Sequence, residues 1–223
     1  MFKTRRFQLN PQKKLLICDL DGTLIDSSEG VLSSIQKACE LSGIKPVLSL
    51  NKELVGPPLD EMLRIATGLS SPETLADLKK SFIKFYDAGE CVKVQAFPGI
   101  DQMLSSVAAR GHRLALATNK RSIPTMKILE SKGWNKYFIE VETSDLVGGG
   151  KQTKTEMIRN INSKIRDCSK AVYLGDTHWD FVAAKEAGIP CLIAGWGYGG
   201  SDFQELATVV MDPIKMISVF EGF

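Results

Sequence analysis

The chain has 223 residues, of which 43% are hydrophobic and 24% charged, the composition of an ordinary globular protein with a sizeable core. Its formal net charge of +2 is too small a basic excess to favour nucleic acid or an anionic membrane as the main partner, so we expect a small molecule instead. The five cysteines include no CxxC pair, which argues against a zinc site or a disulfide framework and is typical of reduced, cytoplasmic thiols.

The N-terminal segment MFKTRRFQLNPQKK is basic, but no apolar run of about 7 to 15 residues follows it, as a signal peptide would require. No stretch of the chain approaches the roughly 18 apolar residues of a membrane span. We therefore expect a solvated arm over the first dozen residues of a cytoplasmic protein, with no membrane contact, that is a monomer or a homodimer.

The first core element and a helical insertion follow the arm. The run LLIC at 15–18 predicts a strand that is buried on both faces. Between residues 28 and 90, apolar residues recur three and four apart and glycines act as stops, which predicts helices only. An insertion here would lie over the carboxyl end of the first strand, where open α/β sheets bind ligands. We expect an α/β core of residues 1–26 and 92–223 and a helical cap of residues 27–91 that selects the substrate.

After residue 96, short apolar runs alternate with amphipathic stretches. This alternation is typical of βαβ units and predicts a doubly wound, Rossmann-like parallel sheet of the α/β class. The further predicted strands are 114–118, 137–141, 171–175, 191–195 and 209–211. The predicted helices of this region are 100–110, 122–132, 154–166, 179–187 and 213–220.

Polar side chains follow several of these strands. Because the ends of parallel strands meet at one edge of the sheet, we expect these side chains to lie close together. Hard cations take carboxylate oxygens, and a transferring phosphoryl group needs a hydroxyl and a cation beside it. The candidates are Asp19 and Asp21 in DLDG, Thr118 and Asn119 in ATNK, a lysine in GGGKQTK, and Asp176 and Asp180 in LGDTHWD.

Two of these motifs have alternative interpretations. Taken alone, DxDG is also the pattern of a turn that bonds its own backbone, or of a glycosyltransferase that holds a metal through DxD. The segment GWGYGG at 195–200 fits the GxGxxG dinucleotide pattern, but too little chain follows it for another βαβ unit. We interpret that segment as a mobile loop beside the active site.

The combined motifs resemble those of haloacid dehalogenase superfamily phosphatases, in particular the phosphoglycolate-phosphatase-like group with a helical cap after the first strand. The resemblance covers nearly the whole chain and rests on DLDGTLIDS, LVGPPLDEML, FPGI, ATNK and YLGDTHWDFVAAKEAGIP. It implies a phosphatase that depends on Mg²⁺, forms an aspartyl-phosphate and hydrolyses a small phosphorylated metabolite, with phosphoglycolate as a candidate. Dehalogenation is disfavoured, because the dehalogenases lack the second aspartate that is present here as Asp21.

The resemblance also implies a role for each candidate residue. Asp19 would be the nucleophile, and Asp21 would act as general acid and then as general base. Crowding the two carboxyl groups separates their proton affinities, which suits these different roles. The resemblance further implies that Asp19, the Asp21 carbonyl and Asp176 bind Mg²⁺ and that Asp180 supports this metal site. Thr118 and a lysine would contact the phosphoryl group, and backbone N–H groups near Gly22 and Asn119 would form a phosphate cradle.

Three other functions remain open at this point. A β-phosphoglucomutase-like mutase would share the fold and the nucleophile but return the phosphoryl group to a sugar. A DxD glycosyltransferase would consume a nucleotide sugar and ignore phosphate esters. A binding module without enzymatic activity would hold phosphate ligands without turnover.

The lysine that contacts the phosphoryl group is either Lys154 or Lys151. The pattern Thr153-x-x-Glu156 is a capping box that predicts a helix with Thr153 as its N-cap and Lys154 in its first turn. A phosphate dianion would be attracted by that lysine and by the helix end together. Lys151 instead follows three glycines, whose backbone freedom makes a fixed orientation costly. We therefore favour Lys154 and expect Lys151 to be a solvated loop residue.

Overall fold

The computed structural model describes residues 10–145, 149–199 and 208–223. Its core is a sheet of six parallel strands in the order β5-β4-β1-β6-β7-β8, so the predicted doubly wound sheet is confirmed. The chain builds outward from β1 in both directions, which leaves a crevice at the carboxyl ends of the central strands. The strands are β1 (Asn10–Cys18), β4 (Arg113–Thr118), β5 (Phe138–Thr143), β6 (Cys168–Gly175), β7 (Cys191–Ala194) and β8 (Thr208–Val210).

Strand β1 begins earlier than its apolar run. Residues 10–14 continue the pairing with β6, where Asn10 lies opposite Cys168 and Lys14 opposite Lys170. The expectation of a loose arm is therefore wrong for the end of that segment, because backbone pairing extends a strand without regard to side-chain polarity. Residues 1–9 of the expected arm lie outside the described residues.

Five helices cover the two faces of the sheet. Alternate residues of β1 point to opposite sides, so Leu16 packs with Met103 and Phe220 in one apolar cluster, while Ile17 packs with Met157 in another. None of the helices within the described ranges combines the length and the apolar run that crossing a bilayer requires. The helices are α4 (Ile100–Ala109), α5 (Ser122–Ser131), α6 (Lys154–Lys164), α7 (His178–Ala187) and α8 (Pro213–Gly222).

The helical insertion leaves and rejoins the core through a small antiparallel ribbon, β2 (Ile25–Asp26) and β3 (Gln95–Ala96). Between these strands lie α1 (Ser28–Leu41), α2 (Leu59–Thr67) and α3 (Pro72–Ala88), with two short 3-10 helices at Lys52–Leu54 and Glu90–Val92. These helices bury an apolar cluster of their own. We propose that this unit is the cap, as the sequence predicts for residues 27–91.

Candidate active site

Three neighbouring strands deliver the polar side chains to one edge of the sheet. Asp19 follows β1, Thr118 ends β4 and Asp176 follows β6, and all three are buried. The Asp19 N–H donates to the Leu174 carbonyl at 2.8 Å, which fixes the end of β1 against β6. The sheet order thus brings together residues that are about 60 to 160 positions apart in the chain.

A buried lysine lies between two of the carboxylates. The Nζ atom of Lys154 lies 2.9 Å from Asp19 Oδ2 and 2.6 Å from Asp180 Oδ1. Burial lowers the pKa of Lys154, but Asp180 and Asp19 more than offset this effect, so the net shift is upward and the ammonium stays charged. Burial raises the pKa of Asp19 to about 6, although Lys154 opposes the shift. The lysine therefore supports an ionised Asp19 near neutral pH.

The start of α6 positions this lysine. Thr153 is the N-cap, its hydroxyl accepts from the Glu156 N–H, and the Glu156 carboxylate accepts from the Thr153 N–H, so both halves of the predicted capping box are present. Lys151 is instead 72% exposed in its side chain and lies 3.0 Å from Asp60 of α2. Lys151 is thus solvated, as expected, but it also pairs with the helical insertion, which sequence reasoning missed.

Asp176 lies in a tight cradle of backbone and hydroxyl groups. Its Oδ1 accepts from the Thr23 hydroxyl at 3.0 Å, and its Oδ2 accepts from the Tyr198 N–H at 2.8 Å. Gly22 has φ +80°, and a Cβ there would overlap the Asp176 carboxylate. Burial raises the pKa of Asp176 well above its usual range, and the nearby Asp180 and Asp19 add to this shift.

Gly22 forms part of the tight turn after β1. Its N–H donates to the Ile25 carbonyl at 2.9 Å, and its lack of a Cβ lets the backbone pass close to Asp176. Asn119 lines the pocket. The cradle of backbone N–H groups near Gly22 and Asn119 stays a prediction.

The carboxylates at this edge fit a metal ion. Asp19, Asp176 and Asp180 each offer an oxygen within 4.8 Å of the other two. Within the part of the chain that the structure describes, the buried Oδ1 of Asp19 has no hydrogen-bond partner and each Asp176 oxygen accepts one hydrogen bond, so these two side chains have oxygens free for a hard cation. Asp180 differs, because both of its oxygens are already engaged. Its Oδ1 accepts from Lys154 and Tyr173, and its Oδ2 accepts from the Asp176 N–H, the Thr177 N–H and the Thr177 hydroxyl.

Asp21 pairs with a lysine that the sequence analysis did not consider. The Nζ atom of Lys120 lies 2.8 Å and 2.9 Å from the two Asp21 oxygens, and its side chain is only 6% exposed. Thr118 also holds this segment, because its hydroxyl oxygen accepts from the Lys120 N–H at 3.2 Å. The motif ATNK contains the signal, since the lysine follows the strand end directly.

The segment GWGYGG lies beside the active site, as predicted, and hydrogen bonds connect its described residues, 195–199, to neighbouring segments. Trp196 donates to the Thr23 carbonyl at 2.9 Å, and the Tyr198 hydroxyl accepts from the Ser27 N–H at 2.8 Å while it donates to Asp26 Oδ1 at 3.1 Å. These hydrogen bonds hold Trp196 and Tyr198 against the turn after β1 and the start of the insertion, while the mobility of the loop stays a prediction. Residue 200 lies outside the described residues.

The helical insertion covers the pocket that contains these groups. Side chains from α1, α2 and α3 line its upper wall, and a Cβ at Gly56 would lie 3.8 Å from the Thr177 methyl group of the core. Among the described residues, three ion pairs join the units at their edges: Lys151 with Asp60, Arg121 with Asp87 at 2.6 Å and 3.0 Å, and Lys52 with Asp26 at 2.7 Å. In this structure the insertion is closed over the core.

Comparison with known proteins places this fold and site in a family. The chain matches the haloacid dehalogenase-like hydrolase family over residues 16–194. It is 33% identical over 193 residues to the tyrosine-protein kinase PtkA of Mycobacterium tuberculosis, covering 85% of this chain and 65% of that protein. It is 30% identical over 214 residues to the phosphoglycolate phosphatase of Agrobacterium fabrum, covering 93% of this chain and 92% of that protein.

A solved structure, described as a "predicted phosphatase" from Clostridium acetobutylicum, is similar with a TM-score of 0.82 at 25% identity, over 96% of this chain and 100% of that one. The chain therefore belongs to the haloacid dehalogenase-like hydrolase family. It covers 65% of PtkA, which is less than two thirds, and 92% of the phosphoglycolate phosphatase. The predictions of the family and of the fold class are confirmed.

Proposed function

We propose that the protein is a phosphatase that depends on Mg²⁺ and hydrolyses small phosphate monoesters through an aspartyl-phosphate on Asp19. The observation that carries the proposal is the buried Asp19 itself, with one oxygen on Lys154 and the other without a partner. A carboxylate in this position has the orientation of a nucleophile and a cation to keep it ionised. The similarity to phosphoglycolate phosphatases supports phosphoglycolate as a candidate substrate.

Asp19 and Asp176 would hold the metal through their carboxylates, with the Asp21 carbonyl as a further ligand. When bound, Mg²⁺ supplies Lewis-acid stabilisation of the negative charge on the transferring phosphoryl group. Asp180 would orient Lys154 and the loop after β6, because it accepts hydrogen bonds from the Lys154 ammonium and from the N–H groups of Asp176 and Thr177. Thr118 and Lys154 would hold the phosphoryl oxygens.

The two aspartates of DxD would divide the reaction. An Asp19 oxygen attacks phosphorus and the bond from phosphorus to the ester oxygen breaks, while Asp21 gives a proton to that oxygen. Asp21 then takes a proton from water, which attacks the aspartyl-phosphate, releases inorganic phosphate and restores Asp19. The closed insertion excludes bulk water during the first step.

Two other phosphoryl transfers use related chemistry. The similarity to PtkA favours, as a second candidate, transfer from a nucleotide to a tyrosine side chain. A mutase would instead return the phosphoryl group to a sugar phosphate. The site beneath the closed insertion favours a small ester over a tyrosine within a folded protein, because side chains from α1, α2 and α3 form the upper wall of the pocket.

A phosphate-release assay over a panel of phosphorylated metabolites tests the proposal. We expect Mg²⁺-dependent release from small esters, and a loss of several orders of magnitude in Asp19→Asn, because a missing covalent nucleophile leaves no equivalent pathway. Parallel reactions with ATP and a tyrosine peptide test the kinase alternative. Retention of more than about a tenth of the activity in Asp19→Asn would contradict the covalent mechanism.

A further inference from the structure

The pocket contains three cationic side chains, and each faces a carboxylate. Lys154 pairs with Asp19 and Asp180, whereas Arg121 is held by both oxygens of Asp87 at the edge of the helical insertion. Lys120 differs, because its carboxylate partner is Asp21, the proposed acid and base. Among these three cations, Lys120 alone pairs with a group that has to turn toward the reacting ester.

A buried hydroxyl lies beside Lys120. Tyr86 of α3 is 3% exposed and lines the same pocket, and its hydroxyl oxygen makes no hydrogen bond of normal geometry within the described ranges, although the Lys120 ammonium is close enough to lower its pKa. The Nζ atom of Lys120 lies 4.9 Å from the centre of the Tyr86 ring. Burial raises the pKa of Tyr86 to about 12, so its hydroxyl stays a neutral donor. A buried donor without a partner is costly, and a ligand atom at this position would satisfy it.

The remaining wall of the pocket under the insertion is apolar. Its larger apolar side chains are Val31, Val55, Leu59, Met62 and Phe82, and the segment Gly56, Pro57 and Pro58 completes it. A leaving group that occupies this space therefore finds polar partners at one corner, where Lys120 and Tyr86 meet. Pockets of this kind use a few placed polar groups to fix the orientation of a ligand against apolar walls.

We propose that Lys120 and the Tyr86 hydroxyl form a subsite for an anionic group on the leaving-group side of the substrate. The preferred substrate would be a compact phosphate ester with a carboxylate or a second phosphate close to the ester oxygen, which rests on the proposed phosphatase function. The anion accepts hydrogen bonds from both residues. It thereby replaces Asp21 on Lys120 and leaves the Asp21 oxygens free to reach the ester.

Because the substrate anion replaces Asp21 on Lys120, Lys120 would determine which esters are preferred, and the ratio of kcat/KM between anionic and uncharged esters would measure this effect. An ester without the second anion leaves Lys120 on Asp21 and the Tyr86 hydroxyl unsatisfied. Hydrogen bonds that involve a charged group favour the matching ligand by about tenfold to a hundredfold, and a neutral hydroxyl contributes about threefold to tenfold. We expect these factors in kcat/KM when the two kinds of ester are compared.

The experiment uses matched esters. Phosphoglycolate carries a carboxylate, its amide is uncharged and nearly isosteric, and the bisphosphate of ethane-1,2-diol carries a phosphate in place of the carboxylate. The variants are Lys120→Met, Lys120→Arg and Tyr86→Phe, with Lys80→Met as a control on an exposed lysine of the same helix as Tyr86. Both kcat/KM and, in an Asp19→Asn background, Kd are measured for each ester, and thermal melting verifies folding.

We expect the wild type and Lys80→Met to prefer at least one anionic ester over the amide by about tenfold to a hundredfold. Lys120→Met should bring this ratio close to one, mainly because kcat/KM falls for the anionic ester. Lys120→Arg should keep part of the preference for the anionic ester. Tyr86→Phe should lower the ratio by about threefold to tenfold. Which anionic ester is preferred identifies the carboxylate or the phosphate as the natural anion.

Two results would overturn the subsite. One is a wild-type ratio near one, and the other is a Lys120→Met variant that loses the same factor on the amide as on the anionic esters. If the wild type hydrolyses no ester at all, the phosphatase proposal fails, and the Kd ratio in the Asp19→Asn background still decides whether the subsite exists.

Discussion

Replacing Lys154 by methionine keeps the length of the side chain and removes its charge. The Lys154 side chain is 8% exposed, and its ammonium lies within 3 Å of carboxylate oxygens from two aspartates. Breaking a buried ion pair by removal of one partner costs about 3 to 5 kcal/mol, because the remaining charge stays buried without compensation. Lys151→Met is the matched control, since that side chain is 72% exposed and an exposed pair contributes about 0 to 1 kcal/mol.

Urea unfolding at pH 7.5 in EDTA measures both losses. With a slope near 3 kcal/mol/M, the midpoint should fall by about 1 to 1.7 M for Lys154→Met and by about 0.3 M or less for Lys151→Met. The loss in Lys154→Met should be smaller at pH 5, because the pKa of Asp19 is raised to about 6 and this carboxyl then takes up a proton. With Mg²⁺ present, kcat/KM should fall by about a hundredfold to a thousandfold in Lys154→Met alone.

The outcome that refutes this reasoning is a Lys151→Met variant that loses as much stability and activity as Lys154→Met. The lysine in the glycine-rich loop would then be the phosphoryl contact, and the capping box of α6 would have no bearing on the site.

Three further predictions follow from contacts around the site. The pKa of Asp19 is about 6 in the folded protein against an ordinary value of 3.8, so the folded state holds this proton more tightly and the metal-free protein should lose stability as the pH rises from about 4 to about 6. Thermal melting in EDTA at pH 4.5 and 7.5 tests this. An equal pH dependence of the melting temperature in Asp19→Asn would contradict it. Gly22→Ala should weaken Mg²⁺ binding about tenfold or more in a calorimetric titration, because the new methyl group displaces the Asp176 carboxylate. Gly43→Ala is the control: Gly43 has a similar φ of +64°, but a Cβ there would meet no atom within 4 Å, so Mg²⁺ binding should stay unchanged. Lys151→Met removes the pairing with Asp60 between the insertion and the core and leaves the pair of Asp60 with Lys79 within the insertion intact. KM should therefore rise about twofold to fivefold with kcat unchanged and lose part of its salt dependence, and an unchanged KM would show that this pair does not favour closure.

Local signals in the sequence predict much of this fold. The run at 15–18 is apolar at every position because β1 is buried on both faces, and the start of α6 follows from Thr153 and Glu156 alone. The meeting of Asp19 with Asp176 could also be predicted, since parallel strands deliver their ends to one edge.

The missed contacts depend on where distant segments meet. Lys120 reaches Asp21 across 99 positions, and Tyr198 reaches Asp176 and Asp26 across 22 and 172. No periodicity or capping rule includes such pairs, because the closed insertion and the order of the strands create them. The predictions of a cytoplasmic location and of a monomer or homodimer stay predictions.

The most direct test of the central claim is to detect the covalent intermediate on Asp19. The protein is mixed with Mg²⁺ and an ester that it hydrolyses, quenched in acid within milliseconds, and digested for mass spectrometry. We predict a phosphoryl group on the peptide that contains Asp19, absent in Asp19→Asn and absent when EDTA replaces Mg²⁺. Turnover with no phosphorylated peptide at any quench time, together with inversion instead of retention of configuration at an isotopically chiral phosphorus, would contradict the account, because a covalent intermediate requires two displacements and direct attack by water requires one.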